Sequence, residues 1–260
     1  MTADHDLAAL ASSAYDIALK AGRLVLKKRN ESLQIQGKKD GSPFTSADQA
    51  AEDLICAALE KLTPDYPVIA EERISQGHIP DIAGRPFWLV DPLDGTRNYI
   101  AGEAEFTVNV ALVVENTPVV GIIHAPALEE SFIGVPGLGA TGVMKKKAVD
   151  ISTRTPPPDG LVVLSSRYHG DAPELEAYLS NLPVRLSRRM GSALKFGLIA
   201  RGEADLYPRF GRVMGWDIAA GHAIVAAAGG RVTTRDGQPI DYRTPDFAIG
   251  HFIARGGLNS

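Results

Sequence analysis

The sequence predicts a mixed fold in two halves, an α+β half followed by an α/β half. In the first half, helical patterns are followed by several short apolar runs that are typical of strands. In the second half, strand and helix patterns alternate, which favours an α/β arrangement. A proline-rich segment at 153–160 separates the halves. We therefore predict domains at 1–155 and 156–260 in this chain of 260 residues.

Two helices are predicted before the first strand. Apolar residues recur every three or four positions over 7–28, as in an amphipathic helix. An extended segment, 42–45, then leads into a second helix over 46–62, which begins at Ser46 or Asp48. Asp48 is therefore expected where a loop meets a helix.

Five strands are predicted in the first half. The first two are short, apolar and bounded, as buried strands are. The other three are joined by short polar turns, which predicts an antiparallel meander. In chain order these strands are Pro67–Ala70, Phe87–Val90, Phe106–Val114, Pro118–His124 and Ser131–Val135.

The second half shows the alternation expected of βαβα units. Its predicted strands are Leu161–Leu164 and Val184–Leu186, and its predicted helices are Pro173–Leu182 and two more that begin near Ser192 and Trp216.

Charge and composition argue against several classes of protein, including those that bind nucleic acids or span a membrane. A net charge of −4 and a pI near 5.9 give no positive field that would attract a nucleic-acid polymer. The N-terminus lacks a secretory signal, and no stretch reaches the ~20 apolar residues of a transmembrane segment. We expect a cytoplasmic protein, and the sequence leaves open a peripheral association with the inner membrane and a homodimer. The single cysteine, Cys56, is expected in the core.

Acidic residues follow two of the apolar strands. Asp91 and Asp94 leave one strand with Pro92 between them, and Glu71 and Glu72 leave another. Strand ends are common ligand sites, and carboxylates held close together repel one another unless a cation neutralises them. Because all these ligands are oxygen atoms, without a His or Cys cluster, magnesium is favoured over zinc.

The next two residues suggest phosphate chemistry. Gly95 lets the backbone approach a ligand closely, and the N–H groups of a helix that starts near Arg97 are suited to phosphate. The hydroxyl of Thr96, oriented by Asp48, would take the proton of an attacking water. The alternative is that the two aspartates only form a turn with a helix cap.

A second acidic motif lies near the C-terminus. Trp216-Asp217 is separated by eleven residues from Gly229-Gly230, and the residues between them form a small, apolar helix pattern. Asp217 would project from the positive end of that helix, where it is a further candidate metal ligand. The alternative is that Asp217 only caps the helix.

These two separated motifs resemble the signature of the lithium-sensitive, magnesium-dependent phosphatases typified by inositol monophosphatase. Segments 42–48 and 68–72 extend the resemblance, which covers nearly the whole chain. It implies a layered αβαβα sandwich. It also implies two or three Mg²⁺ ions held by Glu71, Asp91, Asp94, Asp217 and the carbonyl of Leu93, with water activated by Asp48, Thr96 and Glu71.

Within this family, the second half is more similar to the 3'(2'),5'-bisphosphate nucleotidases of the CysQ type, which convert adenosine 3',5'-bisphosphate to AMP. Segments 102–112, 165–169, 191–196 and 204–210 carry this similarity. It implies a small phosphorylated substrate with a second phosphate away from the metals. That phosphate or the ribose would meet His169, Ser192, Lys195 and Arg209, while the reacting end would meet Glu71, Leu93, Asp94, Gly95, Thr96 and Asp217.

Two positions give conflicting signals about the substrate, one departing from the inositol phosphatase pattern and the other from the nucleotidase pattern. Phe210 stands where inositol-specific members tend to carry a glutamate, which argues against inositol, whereas Arg97-Asn98-Tyr99 is closer to the inositol phosphatase pattern. Inositol monophosphatase is therefore the alternative. Outside enzymes, the alternative is a catalytically silent sensor or scaffold that binds a phosphorylated metabolite. Separately, the alternative for the substrate contacts is that Lys195 and Arg209 are only surface cations and His169 is a loop residue.

A glycine-rich motif gives a competing signal. Segment 137–142 matches G-x-G-x-x-G, but Pro136 precedes it and no amphipathic helix follows. We therefore predict a hairpin turn there, and a solvated turn at 145–147.

Overall fold

The computed structural model describes residues 6–31, 35–37, 43–167 and 172–257. Two predictions fall outside this range: Ser42, at the start of the extended segment, and His169, a predicted substrate contact. In chain order the first half contains α1 (Leu7–Arg29), β1 (Ile35–Gly37), β2 (Pro43–Thr45), α2 (Ser46–Leu62), β3 (Val68–Ala70), α3 (Glu71–Ser75), β4 (Phe87–Asp94), α4 (Thr96–Ile100), β5 (Thr107–Val114), β6 (Thr117–Ala125), β7 (Glu130–Val135), β8 (Gly139–Met144) and β9 (Lys147–Ile151).

The second half begins after a connection at 152–160. It contains β10 (Leu161–Ser166), α5 (Ala172–Leu179), β11 (Val184–Met190), α6 (Leu194–Ala200), β12 (Leu206–Arg209), β13 (Val213–Met214), α7 (Gly215–Ala227), β14 (Arg231–Thr234), β15 (Ala248–Ile249) and β16 (Phe252–Arg255).

A seven-stranded sheet organises the first half, in the order β3-β4-β5-β6-β7-β8-β9. Strand β3 is parallel to β4, and every later pair is antiparallel, which confirms the predicted meander. The glycine-rich motif lies in the β7–β8 hairpin, as predicted. Strand β4 runs four residues beyond the predicted end, and its pairing with β5 is irregular between Asp91 and Asp94. Such an irregularity re-aims side chains.

A five-stranded sheet organises the second half, in the order β11-β10-β12-β16-β14. The first three strands are parallel, and β16 is antiparallel to both of its neighbours. Most predicted elements are present with shifted ends. The predicted helix near Ser192 begins at Leu194, because Ser192 has a left-handed φ of 49° that a right-handed helix does not accept.

The elements stack as an αβαβα sandwich, which confirms the predicted fold. Helices α1 and α2 pack on one face of the seven-stranded sheet, α6 and α7 lie between the sheets, and α5 covers the outer face of the smaller sheet. Glycine allows α7 to approach closely, since a Cβ at Gly121 would lie 2.2 Å from the Ala220 carbonyl oxygen. The largest core cluster takes residues from both halves, and the division at 155 stays a prediction.

Candidate active site

One cavity of about 410 Å³ contains nearly all the predicted site residues. It opens between the edge of the larger sheet near the end of β4 and the loops of the second half. Of the predicted residues, Asp48 does not line the cavity but reaches it through a hydrogen bond, and His169 is outside the described range. The cavity is lined by Glu71, Asp91, Leu93, Asp94, Gly95, Thr96, Ser192, Lys195, Arg209 and Asp217, among others.

Strand β4 places the first two carboxylates. Asp91 is buried, and its Oδ1 accepts a hydrogen bond of 3.0 Å from the backbone N–H of Leu93. Asp94 Oδ2 accepts from the backbone N–H of Ala193 at 2.5 Å and from the side-chain amide of Asn109 at 3.4 Å. Asp94 therefore links the two halves of the chain, because Asn109 lies in the first half and Ala193 in the second.

Asp217 completes a group of four carboxylates that we call the acidic wall, formed by Glu71, Asp91, Asp94 and Asp217. It lies in the first turn of α7, where its Oδ2 accepts from the N–H of Met214 at 2.9 Å. Asp217 therefore caps the helix and also lines the cavity, and its role as a metal ligand stays a prediction.

Burial and repulsion between charges raise the pKa values of two members of the acidic wall, Asp91 and Asp217. Burial, followed by the negative charges of Glu71, Asp94 and Asp217, raises the pKa of Asp91 well above its usual value. Burial and the charges of Asp94 and Glu71 raise the pKa of Asp217 to about 7. The wall thus holds more negative charge than its surroundings neutralise, which is what a divalent cation corrects.

The donor set fits magnesium through charge rather than through a preformed cage. Within the described ranges, no three Asp, Glu, His or Cys side chains already form a group that could hold a metal ion. Magnesium does not require one, since it usually keeps several waters and binds one or two carboxylates together with substrate phosphates. The acidic wall and the Leu93 carbonyl are the oxygen atoms available to it.

The predicted water-activating pair is brought together. Thr96 begins α4, and its hydroxyl oxygen lies 3.0 Å from the carbonyl oxygen of Leu93 and 3.3 Å from Asp48 Oδ1. The other oxygen of Asp48 accepts from the N–H and the hydroxyl of Thr45, at 2.8 and 2.5 Å. Asp48 therefore caps α2 with one oxygen and faces Thr96 with the other.

A buried glutamate that the sequence analysis missed lies behind Glu71. Glu52 is fully buried on α2, and its carboxylate accepts the backbone N–H groups of Glu72 and Arg73 at 2.7 and 2.9 Å. Burial raises the pKa of Glu52 to about 7, against the lowering effect of these hydrogen bonds. Its i, i+4 spacing from Asp48 is the signal that could have identified it. Glu72, also predicted to join the carboxylates, is buried but does not line the cavity.

Cationic side chains also line the cavity, and we call Lys195 and Arg209 the basic wall. Lys195 is 3% exposed, and its ammonium donates to the carbonyl oxygens of Met190 and Ser192 at 3.2 and 2.5 Å. Burial lowers its pKa to about 8, partly opposed by the charge of Asp94. Arg209 Nε is buried and has no hydrogen-bond partner among the described residues. The structure thus places both predicted cations at the cavity.

The loop that carries Ser192 is fixed by a network that sequence analysis did not assign. Arg167 contacts Glu103 and also donates to Glu105 Oε2 at 2.9 Å. The same oxygen accepts from the N–H of Gly191 at 2.8 Å. The similarity segments included Arg167 and Glu105, but nothing in their spacing indicated that they would meet.

Comparisons with known proteins agree with this geometry. The sequence model of the inositol monophosphatase family matches residues 6–258. The 3'(2'),5'-bisphosphate nucleotidase CysQ of Escherichia coli is 42% identical over 213 residues, which cover 81% of this chain and 83% of that protein. Inositol-1-monophosphatase of Synechocystis is 31% identical over 247 residues, covering 92% and 83%.

Solved structures give the same result. The crystal structure of CysQ from Bacteroides thetaiotaomicron superposes with a TM-score of 0.81 at 34% identity and covers 96% of this chain and 98% of its own. An inositol monophosphatase from Anabaena has a TM-score of 0.77 at 28% identity, covering 97% and 92%. Separately, none of the described helices is long and apolar enough to span a membrane. No observation in the described ranges supports a peripheral membrane association.

Proposed function

The chain belongs to the inositol monophosphatase family, and from this premise we propose that it hydrolyses adenosine 3',5'-bisphosphate to AMP and phosphate with magnesium. One observation carries the proposal. A single cavity is lined both by the four carboxylates of the acidic wall and by the two cationic side chains of the basic wall. A substrate with two phosphates can meet the metal side with one and the guanidinium with the other.

The acidic wall and the Leu93 carbonyl would hold the metal ions. Bound there, magnesium supplies charge neutralisation and lowers the pKa of a bound water. The predicted number of two or three ions stays part of this proposal. Burial of the carboxylates would strengthen metal binding, because interactions between charges are stronger in a site that excludes water.

The protein residues orient the reactants and move the proton. Asp48 and the Leu93 carbonyl orient the Thr96 hydroxyl, which accepts the proton of the attacking water while its own proton passes to Asp48. The water oxygen forms the new bond to phosphorus and the bond to the 3' oxygen breaks. Solvent then donates a proton to the 3' oxygen and accepts the proton that Asp48 received, so that AMP and phosphate are released.

The second phosphate or the ribose would meet the basic wall. Arg209 lines the cavity and is half-buried, whereas the buried Lys195 already donates to two backbone carbonyls. We therefore assign the direct phosphate contact mainly to Arg209. Lys195 contributes positive charge and holds the Ser192 loop, and the predicted contact of His169 stays a prediction.

Inositol phosphate hydrolysis is the second candidate. The segment Arg97-Asn98-Tyr99 favours it by resemblance, but two of its side chains serve the fold. Tyr99 is buried and donates to the carbonyl of Val25 at 2.9 Å, and Asn98 donates to the carbonyl of Glu105 at 3.1 Å. The segment therefore carries less information about the substrate than its sequence suggests. The closer identity to nucleotidases supports an enzyme over a silent sensor.

A direct comparison of substrates tests the proposal. We expect kcat/KM with Mg²⁺ to be about a hundredfold higher for adenosine 3',5'-bisphosphate than for inositol 1-phosphate, because unpaired polar groups in a site reject a substrate that lacks their partner. Fructose 1,6-bisphosphate serves as a second bisphosphate, and a chelator should abolish all turnover. A preference for inositol 1-phosphate would contradict the nucleotidase assignment.

A further inference from the structure

Helix α2 carries two buried acids on one face. Asp48 and Glu52 are four residues apart, so they lie about 6 Å apart along the helix axis and point to the same side. Both are almost fully buried. Asp48 contacts Thr96 in the cavity, and Glu52 binds the beginning of α3, where Glu71 stands. Helix α2 therefore contacts both Thr96, the predicted proton acceptor, and the segment that begins at Glu71, a predicted metal ligand.

The two hydrogen bonds of Glu52 are with backbone N–H groups. Its Oε2 accepts the N–H of Glu72 and its Oε1 the N–H of Arg73, at 2.7 and 2.9 Å. The first N–H groups of a helix have no partner within the helix, so a carboxylate that accepts two of them fixes both the position and the direction of that first turn. Glu71 is the residue immediately before these two N–H groups.

Helix α2 is well suited to act as the fixed reference. Its inner face is fully buried at Ala47, Ala51, Ile55 and Leu59, packed in the core with α1 and the larger sheet. Helix α3, in contrast, has only five residues, and Glu72 is its one buried member. A helix this short needs an outside contact to hold its direction.

We propose that Glu52 is a positioning residue that fixes Glu71 in the geometry needed for metal binding. The inference rests on the proposed function only in taking Glu71 as a magnesium ligand. Partners behind the ligands of a metal site orient those ligands, and losing one typically weakens metal binding by about 10-fold to 100-fold.

Three variants isolate this role. Glu52→Gln keeps the size of the side chain but offers one acceptor and turns an NH₂ donor toward the other N–H. Glu52→Asp keeps the charge but is too short to reach both N–H groups. Glu60→Gln is the matched control, because Glu60 lies on the same helix and contacts the same Arg73, but through the guanidinium at the surface.

Magnesium affinity, measured by calorimetry, is the main readout. We expect Glu52→Gln and Glu52→Asp to raise the Kd for Mg²⁺ about tenfold, while Glu60→Gln leaves it unchanged. At saturating Mg²⁺, KM for the phosphate substrate should change by less than about twofold, since this residue is outside the cavity. Hydrogen exchange at the amides of residues 72 and 73 should accelerate in both Glu52 variants only.

The outcomes separate the two proposals. Wild-type affinity for Mg²⁺ in both Glu52 variants would overturn the positioning role. Wild-type affinity in Glu52→Asp alone would overturn it as well, because the charge of the side chain would then matter and its contact with both N–H groups would not. If Glu52→Gln does not fold, Glu52→Asp decides the question. A wild-type chain that binds Mg²⁺ but releases no phosphate would contradict the proposed function alone, and one that binds no Mg²⁺ would overturn both.

Discussion

The acidic wall and the basic wall of the cavity differ in what holds their side chains. Three members of the acidic wall, Asp91, Asp94 and Asp217, accept hydrogen bonds from backbone N–H groups. In the basic wall, Lys195 donates to backbone carbonyls, whereas the buried Nε of Arg209 has no partner among the described residues. The main chain therefore holds three of the carboxylates and Lys195, whereas Arg209 lies half-buried at the cavity.

This difference separates chemistry from substrate choice. Carboxylates fixed by the backbone present the same geometry to any phosphate ester, so they determine the reaction. A half-buried guanidinium at the cavity favours substrates that carry an anion for it and disfavours those that do not. Changes in the acidic wall should therefore affect all substrates alike, and changes in the basic wall should discriminate among them.

The largest effect is expected in the acidic wall. Asp94→Asn should lower kcat for every substrate by roughly a thousandfold, because it removes charge that the metal site needs, a loss of several kcal/mol. The fold should survive, since the amide is the same size. Phosphate release and circular dichroism measured on the same sample check both statements. Undiminished phosphate release would refute the assignment of Asp94 as a metal ligand. A loss of activity for one substrate only would contradict the hypothesis that the acidic wall affects all substrates alike.

A smaller and selective effect is expected in the basic wall. Arg209→Ala should raise KM for adenosine 3',5'-bisphosphate about tenfold or more, as expected for a lost charge-assisted hydrogen bond, and leave KM for inositol 1-phosphate nearly unchanged. Arg212→Ala is the control, because this arginine also lines the cavity but is exposed and bound to Asp246. Equal changes for both substrates in Arg209→Ala would remove the argument for a bisphosphate.

The smallest effect concerns stability rather than rate. Burial lowers the pKa of Lys195 from 10.5 to about 8, so between these pH values the unfolded chain holds more protons at this position than the folded one. Its contribution to the free energy of unfolding should therefore rise with pH, by at most about 1.4 kcal/mol per pH unit. Urea unfolding of wild type and Lys195→Met near pH 8 and pH 10 measures this difference. A gap between the two proteins that does not change with pH would mean that Lys195 is not titrating in this window.

Local patterns predicted much of this fold and most of the cavity. The amphipathic period identified α1, and short apolar runs bounded by turns identified the meander, because burial of one face leaves a direct trace in sequence. The strands β12 to β16 were not predicted, since they have only two to four residues and depend on pairing with distant partners. The pair of Arg167 with Glu105 was missed because a contact across 62 positions leaves no period. The contact of Glu52 with α3 also spans 20 positions, and its only local signal was the i, i+4 spacing from Asp48.

Asp48 and Asp217 each occupy the first turn of a helix, with one oxygen bound to the backbone just before it. These two positions are consequently under a double constraint. Asparagine could keep the backbone contact and lose the charge, whereas glutamate would keep the charge and move it by a methylene group. We therefore expect substitutions among related proteins to occur first at other positions of the cavity. In a relative that has lost its activity, an asparagine at the position of Asp48 or Asp217 would indicate that the charge was lost while the helix cap was kept.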